Sequence, residues 1–309
     1  MSKVTIVGAG KYGSMTALRV AESNNVSKVI MTDIVEGLPQ GLALDINQSR
    51  YVEKFETEIV GTNNYQETKE SDVVVITAGM PRKPGMSRMD LLSINARIIK
   101  DVTSNILEFS SNPKIIVVTN PLDQMTTLVS EISGLPKQNV IGQAGILDSS
   151  RFAYFISQET GNPLIDIQAL TLGSHGETMV PVPSQCFIDG RKITELLSEQ
   201  QIKNLVEKTS KGGAEIVELL KTGSAYFAPA SAAAQMVNAI ITDSNEVLPV
   251  CAWMSGQYGI SDVYLGVTSR IGRNGVEEII ELPLEEREIE ELRIAAESVK
   301  LKALELKDI

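Results

Sequence analysis

The chain has 309 residues, about twice the usual length of one domain, and 43% of them are hydrophobic, so it can fill one large core or two ordinary ones. Its net charge of −11 argues against nucleic acid and against an acidic membrane surface, while a few arginines can still set a local field for an anionic substrate. Cys186 and Cys251 lie far apart without metal-type spacing; with no signal peptide or membrane-length apolar run in view, they read as reduced, buried thiols of a cytoplasmic protein with no metal site.

The first predicted strand is the β-branched run 3–7, followed directly by Gly8-Ala9-Gly10-Lys11-Tyr12-Gly13 and a helical segment over 14–23. A strand, GxGxxG and a helix in that order form the dinucleotide fingerprint. Its glycines give a tight turn, close backbone approach to a pyrophosphate, and close helix–strand packing. The phosphates would lie against the free N–H groups at the start of the helix. A second strand, 28–32, ends at Asp33, about twenty residues past the last glycine, as the fingerprint requires. A carboxylate there would accept hydrogen bonds from the ribose hydroxyls and repel a 2′-phosphate, which favours NAD over NADP.

An amphipathic stretch over 38–49 and a strand over 57–61 come next. The run 72–79 is continuously apolar, the mark of a strand buried on both faces. A loop with two prolines, a glycine and the cations Arg82, Lys83 and Arg88 leads into a long helix over 87–111. In so acidic a chain, such a cluster beside a nucleotide site reads as a receiver of anions. Another buried strand, 114–119, ends at Asn120-Pro121, and 140–142 is expected to close the sheet. This half reads as α/β, a Rossmann-type doubly wound parallel sheet with ligands at the carboxyl ends of its strands.

The rhythm changes near residue 145, and we place the boundary there: 1–144 as the NAD-binding domain, 145–309 as a mixed α+β substrate domain. No Pro/Gly-rich linker separates the halves, so the site is expected in a crevice between tightly packed domains. A helix begins near Asp148, where Asp148 and Arg151 share a face. The run 167–172 reads as one buried strand ending at the turn that carries His175, the only histidine of the chain. Histidine alone has an unperturbed pKa near neutrality, about 6.5, so acid/base chemistry at that pH has few other candidates. Helices over 202–220, 230–242 and 284–306 and strands over 247–254 and 262–269 complete the prediction.

Six segments occur together and in order: the GxGxxG with Asp33, Pro-Arg-Lys-Pro-Gly-Met-Ser-Arg at 81–88, Thr-Asn-Pro-Leu-Asp at 119–123, Leu-Asp-Ser-Ser-Arg-Phe at 147–152, Gly-Ser-His-Gly-Glu-Thr-Met-Val-Pro at 173–181 and Lys-Thr-Gly-Ser-Ala-Tyr at 221–226. The chain thereby resembles, over essentially its whole length, the lactate/malate dehydrogenase superfamily, and within it the lactate-dehydrogenase-like malate dehydrogenases of bacteria and archaea. It departs mildly in having Ser174 where Gly or Glu is usual, and Glu177 where Asp is usual. The resemblance implies reversible hydride transfer between (S)-malate and oxaloacetate, with NAD as cofactor. His175 would be the general acid/base, Asp148 would orient it, and Arg88 would polarise the reacting oxygen. Arg151 would clamp the C1 carboxylate and Arg82 the second one. Asn120 would bridge substrate and nicotinamide ribose, and Ser224 would line the pocket. Asn95, Val118 and Thr119 would join Gly8, Ala9, Gly10, Lys11, Tyr12, Gly13 and Asp33 around the cofactor. A homodimer or homotetramer is implied. Lactate dehydrogenase is the alternative that shares this machinery, and a non-catalytic NAD-binding regulator is the alternative of another class.

Overall fold

The computed structural model describes residues 2–81 and 87–308, apart from the side chains of Arg88, Lys307 and Asp308. The first half runs β1 (Lys3–Val7), α1 (Lys11–Glu22), β2 (Lys28–Thr32), α2 (Leu38–Glu53), β3 (Glu58–Thr62), β4 (Val73–Ile76), α3 (Arg88–Phe109), β5 (Lys114–Val117), α4 (Leu122–Ser133) and β6 (Val140–Gly142). All four residues of β4, Val-Val-Val-Ile, are buried, which is why the run lacks polar alternation: helices cover both faces of the sheet. The six strands pair in parallel in the order β3-β2-β1-β4-β5-β6. The order reverses between β1 and β4, and that switch point puts a ligand crevice beyond their carboxyl ends.

The second half contains α5 (Gly145–Thr160), β7 (Ile167–Gln168), β8 (Thr171–Gly173), β9 (Met179–Pro181), β10 (Phe187–Ile188), β11 (Arg191–Lys192), α6 (Ile193–Leu196), α7 (Glu199–Leu220), α8 (Phe227–Thr242), β12 (Glu246–Ser255), β13 (Ser261–Gly272), β14 (Gly275–Ile279) and α9 (Glu286–Leu304). Two expectations are corrected here. The strand at 140–142 does not close the sheet: β12 pairs antiparallel on its free edge through Cys251 and Gly142, and β13, β8 and β9 continue outward. The open edge of β6 would otherwise carry unpaired backbone groups in a buried place. The run 167–172 is two strands, not one. Its first part, β7, joins β10 and β11 in a separate small sheet, while β8 pairs with β13 and β9. Exposed Gln168 marks the break.

One hydrophobic core runs through both halves. It joins Val4, Ile6 and Val29 of the parallel sheet to Ala233, Val237 and Leu265, with α1 packed on α8. Among the described residues, no helix is long and apolar enough to cross a membrane.

Candidate active site

The glycine turn after β1 is built for close approach. Gly8 has φ +102°, and a side chain there would press on the backbone of Ala78 and the hydroxyl of Thr77 at 2.8 Å. A side chain on Gly13 would overlap the Gly8 carbonyl, so α1 rests directly on the turn. Gly10 is the N-cap of α1; no side chain caps that first turn, and the space in front of Gly10 is open. Uncapped N–H groups at a helix start, beside room for a ligand, suit a pyrophosphate. Asp33 stands at the end of β2, and its Oδ2 accepts the Ala9 N–H at 2.7 Å. Its Oδ1 accepts the Val35 N–H at 2.9 Å, so the carboxylate is held beside the glycine turn. The residues present therefore fit a dinucleotide.

Other expected cofactor residues have structural partners. Asn95 is buried; its Oδ1 accepts the Met80 N–H at 2.8 Å, and its Nδ2 donates to the carbonyls of Met80 and Asn120 at 3.2 and 2.6 Å. It thus ties the chain after β4 to the chain after β5. Thr119 donates to the Ala78 carbonyl at 2.7 Å, Val118 is buried beside it, and Asn120 is exposed. The Tyr12 hydroxyl lies 2.9 Å from the Pro229 carbonyl and 3.2 Å from Gln143 Oε1, joining the N-terminus of α1 to α8 and to the end of β6. Burial pushes that phenol well above its ordinary range. Lys11 is exposed, its ammonium 5.7 Å from the Tyr226 ring.

The second half supplies a charged cluster. The turn between β8 and β9 carries His175, which retains 18% side-chain exposure, whereas Asp148 in the first turn of α5 retains 2%. His175 Nδ1 and Asp148 Oδ2 are 2.8 Å apart. The other carboxylate oxygen accepts from Arg151 at 3.0 Å. The Arg151 Nε is buried with no partner, which leaves donors of this guanidinium available for an anion. Burial disfavours a charged His175 ring, but Asp148, by charge and hydrogen bond, and Asp123, by charge, outweigh it and raise its pKa above the ordinary value. Arg82 lies outside the described residues, as does the side chain of Arg88, which opens α3 behind a capping box of Ser87 and Asp90. Ser224 is exposed between α7 and α8, without a hydrogen bond among the described residues.

Three features went unread in the sequence. Asp123 Oδ2 accepts the backbone N–H of His175 at 3.1 Å; only its place in Asn-Pro-Leu-Asp marked it. Cys251 on β12 lies 3.5 Å from Asp123 Oδ1. Gly212 and Gly213 inside α7 leave room for Arg151, whose guanidinium nitrogens would lie 3.4 and 3.5 Å from a side chain at Gly213. A glycine pair inside a helix costs stability, and that cost was the available signal. Among the described residues, no cluster of His, Cys, Asp or Glu is arranged to hold a metal.

A Rossmann strand order, a glycine turn shaped for pyrophosphate, and a histidine paired to a buried carboxylate together define a nicotinamide-dependent oxidoreductase. Comparison with known proteins narrows the class. The NAD-binding domain model of lactate/malate dehydrogenases matches residues 2–142, and the α/β C-terminal domain model of the same family matches residues 146–307. The chain belongs to the lactate/malate dehydrogenase family. It is 49% identical to a malate dehydrogenase of Chlorobium phaeobacteroides, over 96% of each chain. It superposes on the malate dehydrogenase of Salinibacter ruber with TM-score 0.95 and 42% identity, covering 99% of this chain and 98% of that one. A lactate dehydrogenase of Cryptosporidium parvum, solved with lactic acid and nicotinamide adenine dinucleotide, gives TM-score 0.95 at 39% identity, covering 100% and 98%. The fold alone therefore does not separate the two activities.

Proposed function

We propose that the chain is an NAD-dependent malate dehydrogenase catalysing (S)-malate + NAD⁺ ⇌ oxaloacetate + NADH + H⁺. The observation that carries the mechanism is the 2.8 Å contact of His175 Nδ1 with Asp148 Oδ2, in a chain about half identical to curated malate dehydrogenases. When bound, the nicotinamide accepts hydride in one direction and supplies it in the other. Asp148 holds the proton on Nδ1 and leaves Nε2 to take the C2 hydroxyl proton in oxidation and return it in reduction. Raising the ring's pKa keeps imidazolium populated for reduction. Arg151 clamps the C1 carboxylate and orients C2. Arg88 stabilises charge on the C2 oxygen, Arg82 receives the second carboxylate, Asn120 bridges substrate and nicotinamide ribose, and Ser224 lines the pocket.

The glycine turn, Asp33, Val118 and Thr119 form the cofactor side in this reading, and Asn95 holds its walls together. Asp33 makes the cofactor NAD and not NADP. The two domains meet at residue 145, and the crevice between them is the site. Large apolar side chains exposed on α2, Leu44, Tyr51 and Val52, support a homodimer or homotetramer, and the composition suits the cytoplasm. An NADH absorbance assay with oxaloacetate against pyruvate tests the activity. Oxaloacetate should be the far better substrate; a preference for pyruvate would make the chain a lactate dehydrogenase.

A further inference from the structure

Asp123 has no part in the mechanism above, yet it touches the catalytic turn. It lies in the first turn of α4, is 4% exposed, and divides its two oxygens between elements. One accepts the backbone N–H of His175 at 3.1 Å, and the other lies 3.5 Å from the thiol of Cys251 on β12. That thiol sits in the middle of the sheet, opposite Gly142 on one side and Gly266 on the other. The carboxylate therefore links the backbone of the histidine turn to the middle of the main sheet. We propose that Asp123 is a positioning residue for His175, fixing the main chain of its turn while its buried negative charge favours the protonated ring.

An asparagine could accept the same backbone N–H, so the choice of a carboxylate needs a reason beyond anchoring. The charge count supplies one. Asp148 and Arg151 face the ring from α5, Asp123 from α4, and the Cys251 thiol backs Asp123 from β12. On the turn itself Glu177 is exposed and pairs with Lys302 of α9 at 3.6 Å. Arg82 and the Arg88 side chain, outside the described residues, are the same in every variant compared below. Among the described groups, two carboxylates that favour the protonated ring face one guanidinium that opposes it. Without the Asp123 charge the ring keeps the same guanidinium but loses one of the two carboxylates, and protonation is less favoured. Burial pushes Asp123 itself upward, and the charge of His175, the His175 N–H and the Cys251 thiol pull it back.

The inference rests on His175 as the acid/base, and the test separates the two. Because the chain has one histidine, its imidazole gives a single titrating signal by NMR after histidine-specific ¹³C labelling of the full-length protein. In Asp123→Asn the amide oxygen can still accept the backbone N–H, but the charge is gone, and the ring's pKa should fall by about one unit. The rising pH limb of kcat/KM for malate and the falling limb for oxaloacetate should both move down by the same amount. A purely structural role would lower the plateaus and leave the limbs in place. Should Asp123→Asn not fold, Cys251→Ala keeps the carboxylate but removes a donor, and the ring's pKa should fall in the same direction by less. An unshifted ring in the folded variant overturns the proposal. A shifted ring with unmoved rate limbs would uphold the electrostatic coupling and overturn the acid/base assignment.

Discussion

In the proposed mechanism His175 is the sole acid/base, and the chain has no second histidine to replace it. The proposed nucleotide site lies on other residues, so His175→Asn should reduce turnover by about 10²–10⁴-fold or more while leaving NADH affinity, measured by fluorescence titration, nearly unchanged. A variant within tenfold of the parent would make the histidine structural. The sign of its pKa shift fixes the pH dependence. Reduction of oxaloacetate needs imidazolium, so its rate should hold through the ordinary histidine range and decline only as pH rises through the raised pKa. Asp33 makes a second residue-scale prediction. Its carboxylate, held by the N–H groups of Ala9 and Val35, opposes a 2′-phosphate, so kcat/KM should strongly favour NAD(H) over NADP(H). Asp33→Ser with a nearby added arginine should reduce or reverse that preference; comparable values in the parent would remove the assignment. The sequence singled out both residues, one by uniqueness and one by spacing from the glycines, and the structure sets them beside Asp148 and the glycine turn. Asp123 was not singled out, because its partner is a main-chain N–H 52 positions away, and no pattern of residue types announces such a contact.

At the scale of elements, what could be read followed from covalent nearness. The strands β1, β2 and β6, and the glycine turn between β1 and α1, came from local runs of β-branched residues and their punctuation. What could not be read was pairing across the chain: that β12 would cover the edge of β6, or that Gln168 would part β7 from β8. The long strands β12 and β13 were expected, but nothing in their own sequence names a partner from the first half. Asn95 shows the same limit. It is expected at the cofactor, and its side-chain hydrogen bonds to Met80 and Asn120, which brace the chain after β4 at its root, could not be read from its place in the sequence. That connection carries Arg82 and Arg88, and it should decide malate over lactate. Oxaloacetate has one carboxylate more than pyruvate, which a guanidinium can bind with two parallel hydrogen bonds that Lys83 cannot reproduce. With pyruvate bound, the Arg82 guanidinium would be left without its carboxylate partner, so discrimination should reach about 10³-fold or more. Arg82→Gln should steeply lower kcat/KM for oxaloacetate and raise it for pyruvate. If the variant keeps the parent's preference, dicarboxylate recognition belongs to another group, with Lys83 the first to test.

The molecule as a whole is a continuous sheet with one smaller appendage, and its two thiols report on the two parts. Cys251 is fully buried in the middle of β12, paired toward both β6 and β13; exposing it means parting the central sheet, which is global unfolding. Cys186 is also fully buried, but in a satellite cluster with Phe152, Ile156, Ile167, Ile188, Ile193 and Leu205, beside a small sheet whose strands β7, β10 and β11 have two residues each. Burial pushes its thiol pKa up to about 12 and that of Cys251 well above the usual thiol value, so neither should react with an alkylating reagent at pH 8 in the native state. A small cluster with little sheet behind it should open at a lower free energy than the main core. In rising denaturant, Cys186 should therefore be labelled first and Cys251 only with the main transition, as peptide mass mapping would show. Labelling of both in one step would mean that the satellite is part of the central cooperative unit. The order has a consequence for activity, because α5 contributes Phe152 and Ile156 to the satellite and, within two turns, Asp148 and Arg151 to the charged cluster. Loosening the satellite should loosen Asp148, which lies 2.8 Å from His175 Nδ1. Activity should therefore fall in step with labelling of Cys186, at denaturant concentrations where Cys251 is still protected and the parallel sheet still stands.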